Sequence, residues 1–442
     1  MRFVTTILAT VAVAAAVLVW HEAPVQGQIF GSGLISSPRN VPGIDRPVRI
    51  LRGRFTRDVT LTRDTYWVLR GAVFFGEPAH LMIEPGTTVI GETATRGTLV
   101  IEAGARIIAA GTAEAPIVFT SDQQVGRRGR GDWGGLVING RAPINVPGGV
   151  GIGEGATGQY GGTVENDNSG VLRYVRVEFA GIEFSPDNEL NGIAFQGVGS
   201  GTIVENIQVH FNKDDGIEMF GGSVNIKRVV LTGIGDDSID WTWGWRGKLQ
   251  FAVAQQRGDD TDLGIEADNH SVNHNNQPRS APTIYNITLV GDPSQEFGPE
   301  STGCMRLRVG TAAVIRNFIC LGFKQAAIDI RDNAALPLIA SGELSVFPGI
   351  TFMNGTPWGS SPQSTALRNV VGSQVIDTDP LLVDPFNRTA PNWVPVPNSP
   401  ALQVPAAVPP VDGFFEMALY LGALGPDPTQ DWTRGWTNFA QR

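Results

Sequence analysis

One phrase is written twice in this chain, and it limits what the chain can fold into. Asp214-Asp215-Gly216-Ile217-Glu218-Met219-Phe220-Gly221-Gly222 returns as Asp236-Asp237-Ser238-Ile239-Asp240-Trp241-Thr242-Trp243-Gly244, at an offset of 22 residues. Each copy holds an acidic pair, a small residue, apolar positions at period two, and a closing glycine. Period two marks a strand, and a repeat of this length marks stacked units. Strands of one polarity stacked at 22 residues per turn build a parallel β-helix.

The same grammar extends along the chain. Residues 81–90 and 99–108 match at an offset of 18. Segments beginning at Tyr174, Asn206, Arg228, Asn286 and Asn317 align with one another, which predicts that Val175, Val177, Ile207, Val209, Val229, Leu231, Ile287 and Leu289 stack inside. A second ladder follows through Ile193/Phe195, Ile217/Met219, Ile239/Trp241, Met305/Leu307 and Ile328/Ile330. Neighbouring rungs lie about 4.8 Å apart, and each buried side chain contributes roughly 1.5–3 kcal/mol. The glycine-rich segment 122–170 reads as a long loop, and insertions are expected at 181–190, 252–282 and 291–302. The expected division is a signal peptide at 1–27, an exposed lead-in at 28–57, a β-helix at 58–333, and an irregular segment at 334–442 that packs on the helix. Trp432 and Trp436 lie in that last segment.

Met1-Arg2 followed by the apolar run Phe3 to Trp20 and small residues near Gly27 predicts export, with no transmembrane span after cleavage. A net charge of −10 argues against nucleic acid as a partner. Export permits a disulfide between the two cysteines, but their phases argue against one. Cys320 alternates with Phe318 and points inward, whereas Cys304 is out of phase with Met305 and Leu307.

The text LMIEPGTTVIG…GTLVIEAGARIIAAGTAEAPIVFTSDQ…GDWGGLVINGRAPIN resembles a group of exported bacterial proteins with the pectate-lyase-like superfold. NKDDGIEMFGG, GDDSIDWTWGWRGKLQF, RGDDTDLGIEADN and the terminal DWTRGWTNF extend the resemblance over most of residues 58–440. It implies an all-β, right-handed parallel β-helix and no particular chemistry. A local resemblance to polygalacturonases is carried by Asp215-Gly216, Asp236-Asp237 and Met305-Arg306-Leu307-Arg308. That resemblance implies Asp237 as acid and Asp215 and Asp236 as bases, with Arg306 and Arg308 binding substrate. The family's Gly-His-Gly is missing; Gly258-Asp259-Asp260 stands in its place.

Residue types alone leave several readings open. Stacked carboxylates about 4.8 Å apart repel by roughly 3 kcal/mol at an effective dielectric near 20. A bound cation, a shared proton or splaying into water relieves this, and Asp pairs also serve as turn formers. Asp259, Asp260, Asp262, Glu266 and Asp268 offer the hard oxygens that suit Ca²⁺, or else form a solvated acidic loop. Trp241 matches Met219 and reads as core, whereas Trp245 lies past Gly244 in a turn and is a candidate sugar platform. His270 and His274 lack a third zinc ligand. The leading expectation is a non-enzymatic, secreted or cell-surface protein that binds a polysaccharide or surface glycan, with possible self-association through its coil ends. The alternative is a hydrolase or lyase acting on an acidic glycan through Asp215, Asp236 and Asp237.

Overall fold

A computed structural model describes residues 32–36, 45–185 and 188–442. The expected signal peptide lies outside the described residues, as does much of the lead-in. Each coil visits three parallel faces in turn. In one coil, strand Ile203–His210 runs along the first face, bends at Asn206 and continues along the second. A corner leads to Ile217–Phe220 on the third face. The next coil repeats this at the offset seen in the sequence: Ile203 pairs with Asn225, Ile207 with Val229, and Ile217 with Ile239.

The bend between the first two faces has a backbone signature. Tyr174, Asn206, Arg228, Phe251, Asn286 and Asn317 take the same place on successive coils with φ between 48° and 63°. Asparagine tolerates this left-handed region better than most residues. The eight residues expected to stack inside are all fully buried, and the Ile217–Ile239–Ile265–Met305–Ile328 ladder on the third face is continuous.

Several boundaries differ from the sequence reading. Coil pairing begins at Val48–Phe55 and reaches Val375–Asp377. The supposed loop 122–170 contains a third-face strand, Gly135–Asn139, between Thr98–Ile101 and Ile193–Gln196. The supposed insertion 252–282 contains the end of strand Lys248–Gln255 and all of Leu263–Ala267. Small Ala252 and Ala254 and the acidic surroundings hid these rungs. Helices Ala335–Ser341 and Pro362–Val371 turn Leu338, Ile339, Leu367 and Val371 onto the last coils. Among the described residues no helix is long and apolar enough to cross a membrane.

The C-terminal segment covers the outer side of the second face. Trp393, Leu421, Leu424 and Trp436 form an apolar layer with Val230, Val253, Val290 and Ile319. Polar side chains of the coils hold it by pairing with its backbone. Gln208 accepts from Asn438 N at 2.8 Å and donates to Asn438 O at 2.7 Å. Asn317 makes the same pair of bonds to Ala407, each at 2.8 Å.

The expectation against a disulfide is overturned. Cys304 and Cys320 are bonded, with Cα atoms 6.0 Å apart. Strict alternation fails at the corner that opens each third-face strand, where two successive residues face inward. Cys304 stands in register with Gly192, Gly216, Gly264 and Ala327. A Cβ on Gly192 would strike Val209, one on Gly216 would meet Leu231, and one on Gly264 would meet Leu289. Cys320 continues that opposing second-face column. The disulfide therefore spans the coil interior where other rungs place a small residue against a large one. Replacing both cysteines by alanine is expected to cost about 3 kcal/mol in denaturant unfolding, from loop entropy over the 16-residue separation; an unchanged midpoint would refute this.

Candidate functional site

The twice-written acidic phrase lies at the corner leading into the third face and on that face's outer side. Asn191, Asp215 and Asp237 fall in one column of successive corners, and Asp214, Asp236 and Asp262 in the next. The strands then carry an outward row of Glu218, Asp240, Glu266, Arg306 and Asp329.

Asp215 and Asp237 are buried and bind backbone. Asp215 Oδ1 accepts from Asp237 N at 3.0 Å, and Asp237 Oδ1 accepts from Leu263 N at 2.7 Å. Each thus ties its corner to the next coil. Asp236 is exposed. Glu218 Oε2 accepts from Asn191 Nδ2 at 2.7 Å. Ligand-capable oxygens approach one another within 4.8 Å in three overlapping sets: Asp214/Asp215/Asp236, Asp215/Glu218/Asp240 and Asp237/Asp240/Glu266.

This crowding penalises charge. Burial first, and the neighbouring carboxylates second, push Asp215, Glu218, Asp237 and Asp240 well above the usual carboxyl range. Asp214 is pushed up to about 7 by burial and by Asp236. Asp236 rises to about 6 through burial and Asp262. Burial also raises Glu266 to about 7, against the pull of Arg308. Glu154 arrives from the glycine-rich loop and is pushed up to about 8 by burial, Asp214 and Glu189.

The five residues read as a calcium set do not converge. Asp259 pairs with Arg130 at 3.0 Å and with Arg257 at 3.2 Å. Asp260 pairs with Lys213. Asp262 accepts from Thr302 Oγ1 at 2.6 Å and faces Arg306 at 3.5 Å. Glu266 and Asp268 both bind Arg308. Only Glu266 belongs to one of the close acidic sets. Arg306 is likewise engaged, with Asp329 at 3.4 Å.

Trp245 is corrected outright. It is fully buried, its ring lies 5.7 Å from that of Trp241, and its Nε1 donates to Val224 O at 3.1 Å. Sequence reasoning missed Glu154 and the groove farther along the third face. This groove, of 630 Å³, is lined by Trp358, Gln325, Asp329, Arg331, Thr356 and Ser360. Trp358 packs one side on the core and is half-buried. Its place in register with Ile328 was the available signal, but it lay in a stretch that looked irregular.

Residues 53–373 match the family model for the pectate-lyase-like beta helix domain. No curated protein matches the chain.

Proposed function

The chain belongs to the pectate-lyase-like β-helix family, and we propose that it is an exported, non-enzymatic, polysaccharide-binding protein of the cell surface. The carrying observation is the third-face groove, where an aromatic wall and converging polar side chains meet in 630 Å³. Arg331 is paired with Asp329 at 2.9 Å but, unlike Arg306, keeps half of its side chain exposed, which leaves donors for the carboxylate of an acidic sugar. The apolar run near the N-terminus supports export.

The positions of Asp215 and Asp237 favour binding over hydrolysis. Both carboxylates accept backbone N–H groups, and they stand on adjacent rungs about 4.8 Å apart. That is short of the roughly 6.5–9.5 Å of an inverting pair, and although it approaches the roughly 5–5.5 Å of a retaining pair, a nucleophile needs a free carboxylate, and backbone engages both of these. The elevated acids support a second reading, a hydrolase or lyase on an acidic glycan. Glu154, pushed up to about 8, has the proton that a general acid needs at neutral pH.

Affinity electrophoresis through neutral and acidic polysaccharides tests the first reading, with reducing-end release measured in parallel. Wild type is expected to be retarded by an acidic glycan. Trp358→Ala and Arg331→Ala are each expected to weaken retention about tenfold, or about 1.4 kcal/mol. Arg331 stands outside the core, so its variant keeps the test valid if Trp358→Ala is unstable. Reducing-end release that Glu154→Gln abolishes would replace the binding reading with the enzymatic one.

A further inference from the structure

Where the second face turns towards the third, arginines and aromatic rings alternate. Arg130 lies 5.4 Å over the Phe211 ring, and Arg257 lies 5.7 Å over the same ring. Arg257 also lies 4.3 Å over Phe297, which Arg388 approaches at 4.7 Å. Four stretches far apart in sequence thus meet at one corner. Stacking uses the faces of the guanidiniums, and their N–H donors point out in the plane.

These charges do not balance. Arg130 and Arg257 share Asp259, at 3.0 and 3.2 Å. Arg388 pairs with Asp292 at 2.8 Å, and Lys213 is matched by Asp260. The cluster therefore holds one cation more than it holds carboxylates. Burial lowers Arg130 below the usual guanidinium value against the pull of Asp259, and Arg257 pushes it the same way. The donors are not all satisfied either. Arg257 Nε and Arg388 Nε are buried and find no hydrogen-bond acceptor among the described residues. Asp259 stands near Arg257 Nε but off the line of its N–H bond. Buried donors without acceptors are rare, and charged ones are the most costly. Both arginines line one small cavity, with Phe211, Thr232, Gln256 and Gln441. Its volume of about 10 Å³ admits one water-sized body.

We propose that this cavity binds a single monatomic anion, chloride above all, between Arg257 and Arg388. Chloride accepts from both charged donors at once and cancels the surplus charge. Sulfate and phosphate are too large for the space. A water molecule would satisfy the donors and leave the charge. The ion joins two parts of the chain, because Arg257 follows the coil strand Lys248–Gln255 and Arg388 belongs to the C-terminal segment. Gln255 holds that segment alongside, donating to Pro385 O at 2.7 Å and to Asn387 O at 3.1 Å. Gln441, also on the cavity wall, donates to Arg388 O at 2.9 Å. The anion is a clasp for the covering segment, and it stands independently of glycan binding in the Trp358 groove.

Chloride NMR of the full chain tests the site. Protein exchanged into sodium gluconate is titrated with NaCl, and ions exchanging with a bound site broaden the chloride line. Wild type is expected to broaden it, and NaBr is expected to reverse the broadening. Arg388→Gln is expected to lower the affinity by roughly tenfold. Arg54→Gln, which removes a surface arginine paired with Glu102, should leave the affinity unchanged and shows that any loss is local. No broadening by wild type, or equal affinity in Arg388→Gln, overturns the site. Crystals of wild type soaked in NaBr need no variant. An anomalous peak between Arg257 and Arg388 is expected, and a water molecule in that place overturns the proposal.

Discussion

In EDTA the protein loses thermal stability as the pH rises from 5 to 8. The sign follows from the elevated carboxyls. In unfolded chain these groups titrate near 3.9 for Asp and 4.3 for Glu. In the fold Asp214 and Glu266 titrate at about 7 and Glu154 at about 8. The folded state therefore holds their protons more tightly. Their stabilising contribution is complete below the unfolded values and is lost as the pH passes through 7 and 8. Each group costs up to about 1.4 kcal/mol per pH unit while it titrates. Exposed Asp236 contributes less, because water screens it. Other groups act in the opposite sense at acid pH. The Arg70 guanidinium hydrogen-bonded to Glu92 holds that carboxyl below its usual value, and this stabilisation is lost as the pH falls below about 4. The maximum in EDTA should therefore fall near pH 5. Scanning calorimetry at four pH values in EDTA decides the matter. A midpoint that rises towards pH 8 in EDTA would contradict the electrostatic account of this face.

The architecture was legible because its information is local and repeated. The offset between Ile217 and Ile239 is both a sequence period and a pairing register. The bends at Asn206, Asn286 and Asn317 recur at one position of the aligned segments. Side-chain partnership is a different kind of information. Arg308 meets Glu266 from 42 residues away, so an acidic run that reads as a cation site is neutralised by side chains on other coils. Glu154 reaches the corner from a loop whose sequence says only that it is rich in glycine. Corners defeat phase arguments as well. Cys304 and Met305 both face inward, although strict alternation turns one of them out. Legibility therefore falls from ladder to corner to loop, which is also the order in which candidate chemistry becomes denser.

Trp245→Ala should destabilise the protein by about 3–5 kcal/mol while leaving the glycan affinity of the folded molecule unchanged. The sequence places Trp245 in a turn, and the turn is real. Trp243 and Gly244 take φ of 48° and 90° in succession. Two left-handed residues in a row reverse the chain direction, so the residue after them re-enters the core beside Trp241 instead of facing solvent. Truncating a fully buried Trp removes its contacts and leaves a cavity, at about 3–5 kcal/mol. The carbonyl of Val224 also loses its indole donor, and an unpaired buried acceptor adds about 1–3 kcal/mol where water cannot reach it. In a stacked fold each unit is stabilised chiefly by its neighbours, so the loss should appear first in the coils around residues 224–249. The Trp358 groove lies several rungs away along the third face and keeps its lining. Denaturant unfolding gives the stability, and affinity electrophoresis well below the unfolding transition gives the binding. Loss of retention at unchanged stability would return Trp245 to a sugar-binding role and place its side chain outside the core. Loss of stability at unchanged retention assigns it to holding the corner, with recognition left to the groove at Trp358.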